Sequence, residues 1–191
     1  LSKKPMVELF DVARDIREQL KPLFSRQHGV LLTSATLITG GTFSYIKEIL
    51  GITDAEEFTA LSPFKYRDNM LIYIVENGPN PVDQQFDTYA ARLIEELARL
   101  LAGHTLVLLT SHKALGSLYR TLSSSLYKAN LKLLAQGMTG GRRNIVERFK
   151  QNHNTVLLGT SSFWEGLDLP GENVSALVIP RLPFPPPDDP L

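Results

Sequence analysis

The sequence predicts an α/β fold, a parallel sheet with helices on both faces. Three observations carry this. Between Thr105 and Pro180, short apolar runs alternate with amphipathic stretches of helical period. The runs are apolar at consecutive positions, as strands buried on both faces are. Glycines and a turn cluster (Gly51, Asn77 to Pro81, Gly103) punctuate the joints.

In chain order, Leu9, Val12, Ala13, Ile16, Leu20 and Leu23 recur at helical spacing and predict an opening helix. Val30 to Ala35 (VLLTSA) follows Gly29, is too short for a helix, and reads as a buried strand. A short helix is expected over Phe43 to Leu50, stopped by Gly51. Leu71 to Val75 (LIYIV) reads as a second strand. The longest helix carries Phe86, Tyr89, Ala90, Leu93, Ile94, Leu97 and Leu101 on one face and ends at Gly103. Then strand Thr105–Thr110 precedes helix Ala114–Tyr127, and strand Leu131–Ala135 precedes helix Arg142–Phe149. Strand Thr155–Leu158 leads into a polar loop, and strand Ala176–Pro180 comes last. There is no internal repeat. Five of the twelve prolines fall between Pro183 and Pro190, which predicts an extended tail of polyproline character.

At 191 residues the chain has the size of one domain, with room for a substantial core. Residues 1–28 read as a helical lead-in and 181–191 as the extended tail, and both ends look like cuts in a longer chain. The absence of cysteine excludes a disulfide framework, a cysteine zinc site and an iron–sulfur cluster within the segment. It also fits a reducing cytoplasm, the expected location. Twenty basic and twenty acidic side chains cancel, so strong free-standing affinity for nucleic acid is not expected, because such affinity comes mainly from neutralising phosphates. The opening LSKKPMVELFDVA has charges and a proline where a signal peptide would be apolar. No apolar run approaches the roughly 18 residues that span a membrane.

Ligands of such sheets bind at the loops leaving the carboxyl ends of the strands. Three of these loops are polar and rich in small hydroxyl residues: Thr33-Ser34-Ala35-Thr36, Thr110-Ser111-His112-Lys113 and Gly159-Thr160-Ser161-Ser162. Hydroxyls and glycines at strand ends suit phosphate oxygens, whether of a nucleotide or of a nucleic-acid backbone.

The same loops carry a family resemblance. TSATL (Thr33 to Leu37) resembles helicase motif III, and LVLLTSHKAL (Leu106 to Leu115) resembles motif IV of the DinG family. GTSSFWEGLDLPG (Gly159 to Gly171) is similar to motif V of DinG- and XPD-type superfamily 2 DNA helicases. VIPRLPFPPPDDP (Val178 to Pro190) and SPFKY (Ser62 to Tyr66) also match family segments. The resemblance covers nearly the whole chain in the family's order and implies the second, C-terminal RecA-like motor domain. Two family elements are absent: the G-x-x-x-x-G-K-[ST] phosphate loop and the D-E-x-H magnesium motif, which the family keeps in its first motor domain. The chain also stops before motif VI, which supplies the arginine finger.

The resemblance implies roles residue by residue. Motif V would couple the nucleotide cleft to the DNA track, with Glu165, Asp168 and Arg181 as coupling candidates. Gly159, Thr160 and Gly166 would approach nucleotide. Thr110, Ser111, His112, Lys113, Gln136, Ser161, Ser162 and Trp164 would face single-stranded DNA. Ser34 and Thr36 would lie at the seam with the first motor domain, which would hold most of the ATP and Mg2+; no metal is assigned here. Plain structural readings stand beside each of these. Glu165 can pair locally, and Asp168 can stabilise a turn before Pro170. Thr110 or Ser111 can cap a helix. Phe163 suits core packing, and Trp164 suits packing or base stacking equally. Arg142 and Arg143 read as a solvated face. His28, His104 and His153 are scattered.

Two other functions remain open on sequence alone. One is a stand-alone α/β enzyme, for which Ser161 lacks a G-x-S-x-G elbow. The other is a non-catalytic DNA- or protein-binding platform.

Overall fold

The computed structural model describes residues 15–25, 29–169 and 173–184. They divide into two compact units, one reaching to Ile72 and one starting at Tyr73.

The first unit holds three short helices: α1 (Arg17–Ser25), α2 (Ser44–Leu50) and α3 (Tyr66–Asn69). The Asp15 carboxylate accepts the Arg17 backbone N–H at 3.0 Å and pairs with its guanidinium at 2.5 Å. The Arg17 side-chain hydrogen bond holds this carboxyl down to about 2. The opening helix expected from Leu9 onward falls partly outside the described residues.

The sequence-predicted strands at Val30–Ala35 and Leu71–Val75 are not formed. Leu31 is 87% exposed and Leu71 90%. An apolar run records a demand for burial, but a strand also needs a neighbour to take its N–H and C=O groups. Among the described residues of this unit, the β pairing consists of one isolated bridge, Thr39 to Thr42. The Thr33–Thr36 loop, expected to share a sheet edge with the other two, therefore does not leave a strand.

The second unit contains the sheet. Helix α4 (Phe86–Leu100) is followed by β1 (Thr105–Leu108), α5 (His112–Lys128), β2 (Lys132–Ala135), α6 (Arg142–Gln151), β3 (Thr155–Gly159), a 3-10 turn (Ser161–Phe163) and β4 (Ala176–Val178). The strands are all parallel, in the order β2-β3-β1-β4. This is the α/β, RecA-like arrangement that the sequence predicts.

Alternation along the strands sorts the core into two layers. Val107, Leu109, Val156, Leu158 and Ala135 face α4 and α5, meeting Ala90, Ile94, Ala98, Leu115, Leu118, Leu122 and Leu126. Leu106, Leu108, Leu134 and Leu157 face the other way, onto Ile145 and Phe149 of α6. The connection β1–β2 crosses over β3 and the connection β2–β3 returns. Right-handed crossovers then place α5 and α6 on opposite faces. β1 and β3 are buried at every position, the physical counterpart of their unbroken apolar runs. Each fully buried leucine contributes about 1.5–3 kcal/mol. β4 is an edge strand, and its Leu177 is 52% exposed.

Helices α4 and α5 are also joined at the surface. Arg99 pairs with Glu95 one turn back at 2.7 Å and reaches the Ser125 carbonyl at 3.4 Å. The Arg99 hydrogen bond, then one from Ser125, hold the Glu95 carboxyl below its usual range. At the amino edge of the sheet Gly103 closes α4. A Cβ there would lie 2.4 Å from the Thr155 nitrogen, so only glycine lets the two backbones approach. Among the described residues, no helix is long and apolar enough to cross a membrane.

Candidate functional site at the carboxyl edge of the sheet

The strand order creates a switch point. The chain leaves β1 toward the α5 face, whereas the segment leaving β3 packs on the α6 face, through Phe163, Trp164 and Leu167. The loops after these adjacent strands diverge, and the crevice between diverging loops is where open α/β sheets take their ligands. The register aligns the loops. Leu108 pairs with Gly159, so Thr110 is level with Ser161; Val107 pairs with Val178, so Thr110 is also level with Arg181. Ala135 pairs with Leu158, which brings Gln136 level with Gly159. Two of the three polar loops thus share one edge with Gln136 and Arg181.

The loop after β1 is open. Ser111 is the N-cap of α5, its Oγ accepting the Ala114 N–H at 3.1 Å. The capping alternative therefore describes Ser111 in this structure, and its own O–H is still free to donate. Thr110, His112 and Lys113 are exposed beside this helix start, whose first turn has no acidic residue. The unpaired N–H groups and dipole there favour an anion.

The loop after β3 is tied down. Gly159 is buried, and a Cβ on it would lie 2.5 Å from Cγ of Phe163. The glycine thus makes room for a ring of its own loop. That ring is 1% exposed, among Leu106, Leu108, Ile145 and Leu157. Phe163 packs, as its sequence position implied. Thr160 donates both its backbone N–H (2.8 Å) and its hydroxyl (2.9 Å) to Oε1 of Gln136. In this conformation neither donor is available to a phosphate. Gln136 Nε2 in turn donates to Ser162 Oγ at 3.0 Å. Gln136 thus acts as a strut between β2 and the loop. Trp164 is half-buried, and its indole N–H donates to the Leu109 carbonyl at 3.2 Å.

Ser161, Ser162, Glu165, Gly166 and Asp168 remain exposed. Neither carboxylate forms a salt bridge with a described residue. Arg181 lies at the end of β4, its guanidinium 4.9 Å from the Phe86 ring centre and donating to the Pro81 carbonyl. Ser34 and Thr36 belong to the first unit, where their hydroxyls bond each other at 3.1 Å and the Thr36 N–H donates to Ser34 Oγ.

Sequence reasoning missed Arg142. It is no loosely solvated cation: its Nε donates to the Ser162 carbonyl at 3.0 Å, and its Nη2 to the Gly166 carbonyl at 3.0 Å and the Glu165 carbonyl at 3.4 Å. One signal was available. A cation in the first turn opposes the helix dipole, so two arginines there are unhelpful to α6 itself.

The fit to ATP and Mg2+ is partial. The edge offers backbone and hydroxyl groups, but no lysine-bearing glycine loop, and among the described residues no group of three or more His, Cys, Asp or Glu could hold a metal ion.

Residues 94–191, a span that begins within α4, match the model of the helicase C-terminal domain family. The chain is similar to the 3'-5' exonuclease DinG of Bacillus subtilis, 38% identical over 174 residues, which are 88% of this chain and 19% of the relative. It is similar to the ATP-dependent DNA helicase YoaA of Escherichia coli, 30% identical over 92% of this chain and 27% of the relative. The ATP-dependent helicase DinG of Mycobacterium tuberculosis is 34% identical over 84% of this chain and 24% of its own length. The chain thus spans less than a third of each of these relatives.

Proposed function

From the premise that this chain belongs to the helicase C-terminal domain family, in its DinG-type branch, we propose that it is the second RecA-like motor domain of an ATP-dependent DNA helicase. It couples ATP hydrolysis to movement along single-stranded DNA, in the 5'-3' direction, in repair or replication in the bacterial cytoplasm. The observation that carries this reading is the loop after β3. It is fixed at the switch point, with hydroxyls at Ser161 and Ser162 and carboxylates at Glu165 and Asp168 all left exposed. Neutral hydroxyls suit DNA phosphates, while carboxylates repel them and suit the nucleotide side, where a water or an arginine needs orienting.

The first motor domain of the same protein supplies the phosphate loop and the magnesium carboxylates. The segment alone therefore does not turn over ATP. Ser34 and Thr36 serve the seam between the domains, Gly166 approaches the nucleotide from the exposed part of the loop while the buried Gly159 and Thr160 hold the loop in place beneath it, and Arg181 contributes charge at the same edge. Thr110 to Lys113, Gln136 and Trp164 shape the DNA side.

The test uses the full-length protein, with phosphate release measured with and without single-stranded DNA, and unwinding of substrates tailed at the 5' or 3' end. Glu165→Ala and Asp168→Ala should leave DNA binding intact and depress DNA-stimulated hydrolysis or unwinding. Ser161→Ala with Ser162→Ala should weaken DNA binding without changing its salt dependence, because neutral hydroxyls displace few counterions. DNA binding without any ATP hydrolysis by the wild-type protein would instead make this domain a binding platform.

A further inference from the structure

The contacts of Arg142 go beyond what a helix start requires. Arg142 is the first residue of α6, and its guanidinium leaves its own helix to meet three carbonyls of one loop, those of Ser162, Glu165 and Gly166. It also lies 5.6 Å from the ring centre of Phe163, the residue that anchors the loop in the core. Three of its five N–H donors are committed. The planar fork of arginine suits carbonyls spread along a turn, whereas a lysine ammonium is a point charge on a flexible stem.

The consequence follows from peptide geometry. A carbonyl that is held fixes its whole peptide plane. Holding the Glu165 and Gly166 carbonyls fixes the planes on either side of Gly166 and the backbone from which the Glu165 side chain departs. Holding the Ser162 carbonyl does the same for the serine whose hydroxyl oxygen accepts from Gln136 Nε2. Gln136 and Arg142 flank one connection, β2 to α6, so a single turn of chain grips the motif V loop at both ends.

We propose that Arg142 is a positioning residue that sets the conformation in which the loop presents Ser162 and Glu165, and does not itself contact DNA phosphate. This rests on the coupling role given to the loop under Proposed function.

The experiment compares wild type, Arg142→Ala and Arg142→Lys in the full-length protein, at matched melting temperature. ATP turnover is measured against single-stranded DNA concentration, and DNA binding across salt concentrations. Both variants should lower the DNA-stimulated kcat by about tenfold to a hundredfold, the scale of misplacement losses, with the KM for ATP and the salt slope unchanged. Hydrogen exchange at residues 161–166 should quicken in Arg142→Ala while β1 and β3 keep their protection. Full rescue by Arg142→Lys would overturn the inference in favour of simple charge. So would a salt slope lower by about one unit in Arg142→Ala, the mark of a lost phosphate contact. Wild-type turnover and unchanged exchange in Arg142→Ala would overturn it outright. Should the wild-type protein show no DNA-stimulated turnover, the helicase reading fails, and the exchange comparison still decides whether Arg142 holds the loop. If Arg142→Ala does not fold, Arg142→Lys carries the same exchange test.

Discussion

The loops leaving β1 and β3 are neighbours at one sheet edge, level in register, and they are built in opposite ways. The loop at Thr110–Lys113 is held by Ser111 at the start of α5, whose Oγ accepts the Ala114 N–H and whose carbonyl accepts the Leu115 N–H, and its side chains are exposed. The loop at Thr160–Gly166 is held by Gln136 just after β2, Arg142 from α6, the Trp164 indole on the Leu109 carbonyl just after β1, and the buried ring of Phe163. Similar small polar residues therefore do different work. In the first loop they are offered to solvent. In the second, Thr160 and Ser162 bond Gln136, so that the remaining few are offered in a fixed arrangement. Hydroxyl content alone does not separate the two; the difference lies in which partners the fold supplies.

The largest expected effect comes from removing the anchor. Phe163→Ala should destabilise the chain by about 3–5 kcal/mol, the usual cost of deleting a buried aromatic side chain. Urea unfolding followed by circular dichroism measures it. A loss below about 1 kcal/mol would mean that the ring is replaceable and the contrast between the loops is weaker than the packing implies. Next is the strut. Gln136→Leu leaves the Thr160 hydroxyl and N–H without their acceptor at a position 2% exposed, which should cost about 1–3 kcal/mol. A thermal melt beside Gln136→Glu, which keeps the acceptor, shows whether the acceptor or the packing matters. The smallest effects belong to the open loop. Ser111→Ala should cost about 1 kcal/mol through its cap, and Lys113→Ala no more than about 0.5 kcal/mol. Yet Lys113→Ala should lower the salt slope of DNA binding by about one unit if its charge neutralises a phosphate. A stability loss at Lys113 larger than that at Gln136 would reverse the comparison.

Much of the sheet could be read before any coordinates. β1 and β3 have unbroken apolar runs because helices cover both of their faces, and their ends came within two residues of the expected bounds. Val30–Ala35 and Leu71–Val75 also contain apolar runs and form no strand, because composition reports a need for burial and says nothing about a partner. The site was legible in part. Ser111 as a cap and Phe163 as a core residue follow from local rules of spacing and burial. The Gln136 strut and the Arg142 clasp join residues 24 and 20 positions apart, contacts that no local pattern encodes. The role of Gly159 was obscured for the same reason: the atom it makes room for belongs to its own loop, where sequence reasoning looked for a ligand.

The ring of Phe163 occupies the space that a side chain at residue 159 would fill. Any sequence that places a larger residue at 159 must shrink or displace the ring, so the two positions amount to a single choice. There is a mechanical counterpart. Packed interiors have low compressibility and transmit strain. With its ring wedged against the end of β3, the loop is coupled in series to a strand buried at every position, and a push delivered at its tip is passed on to that strand with little slack.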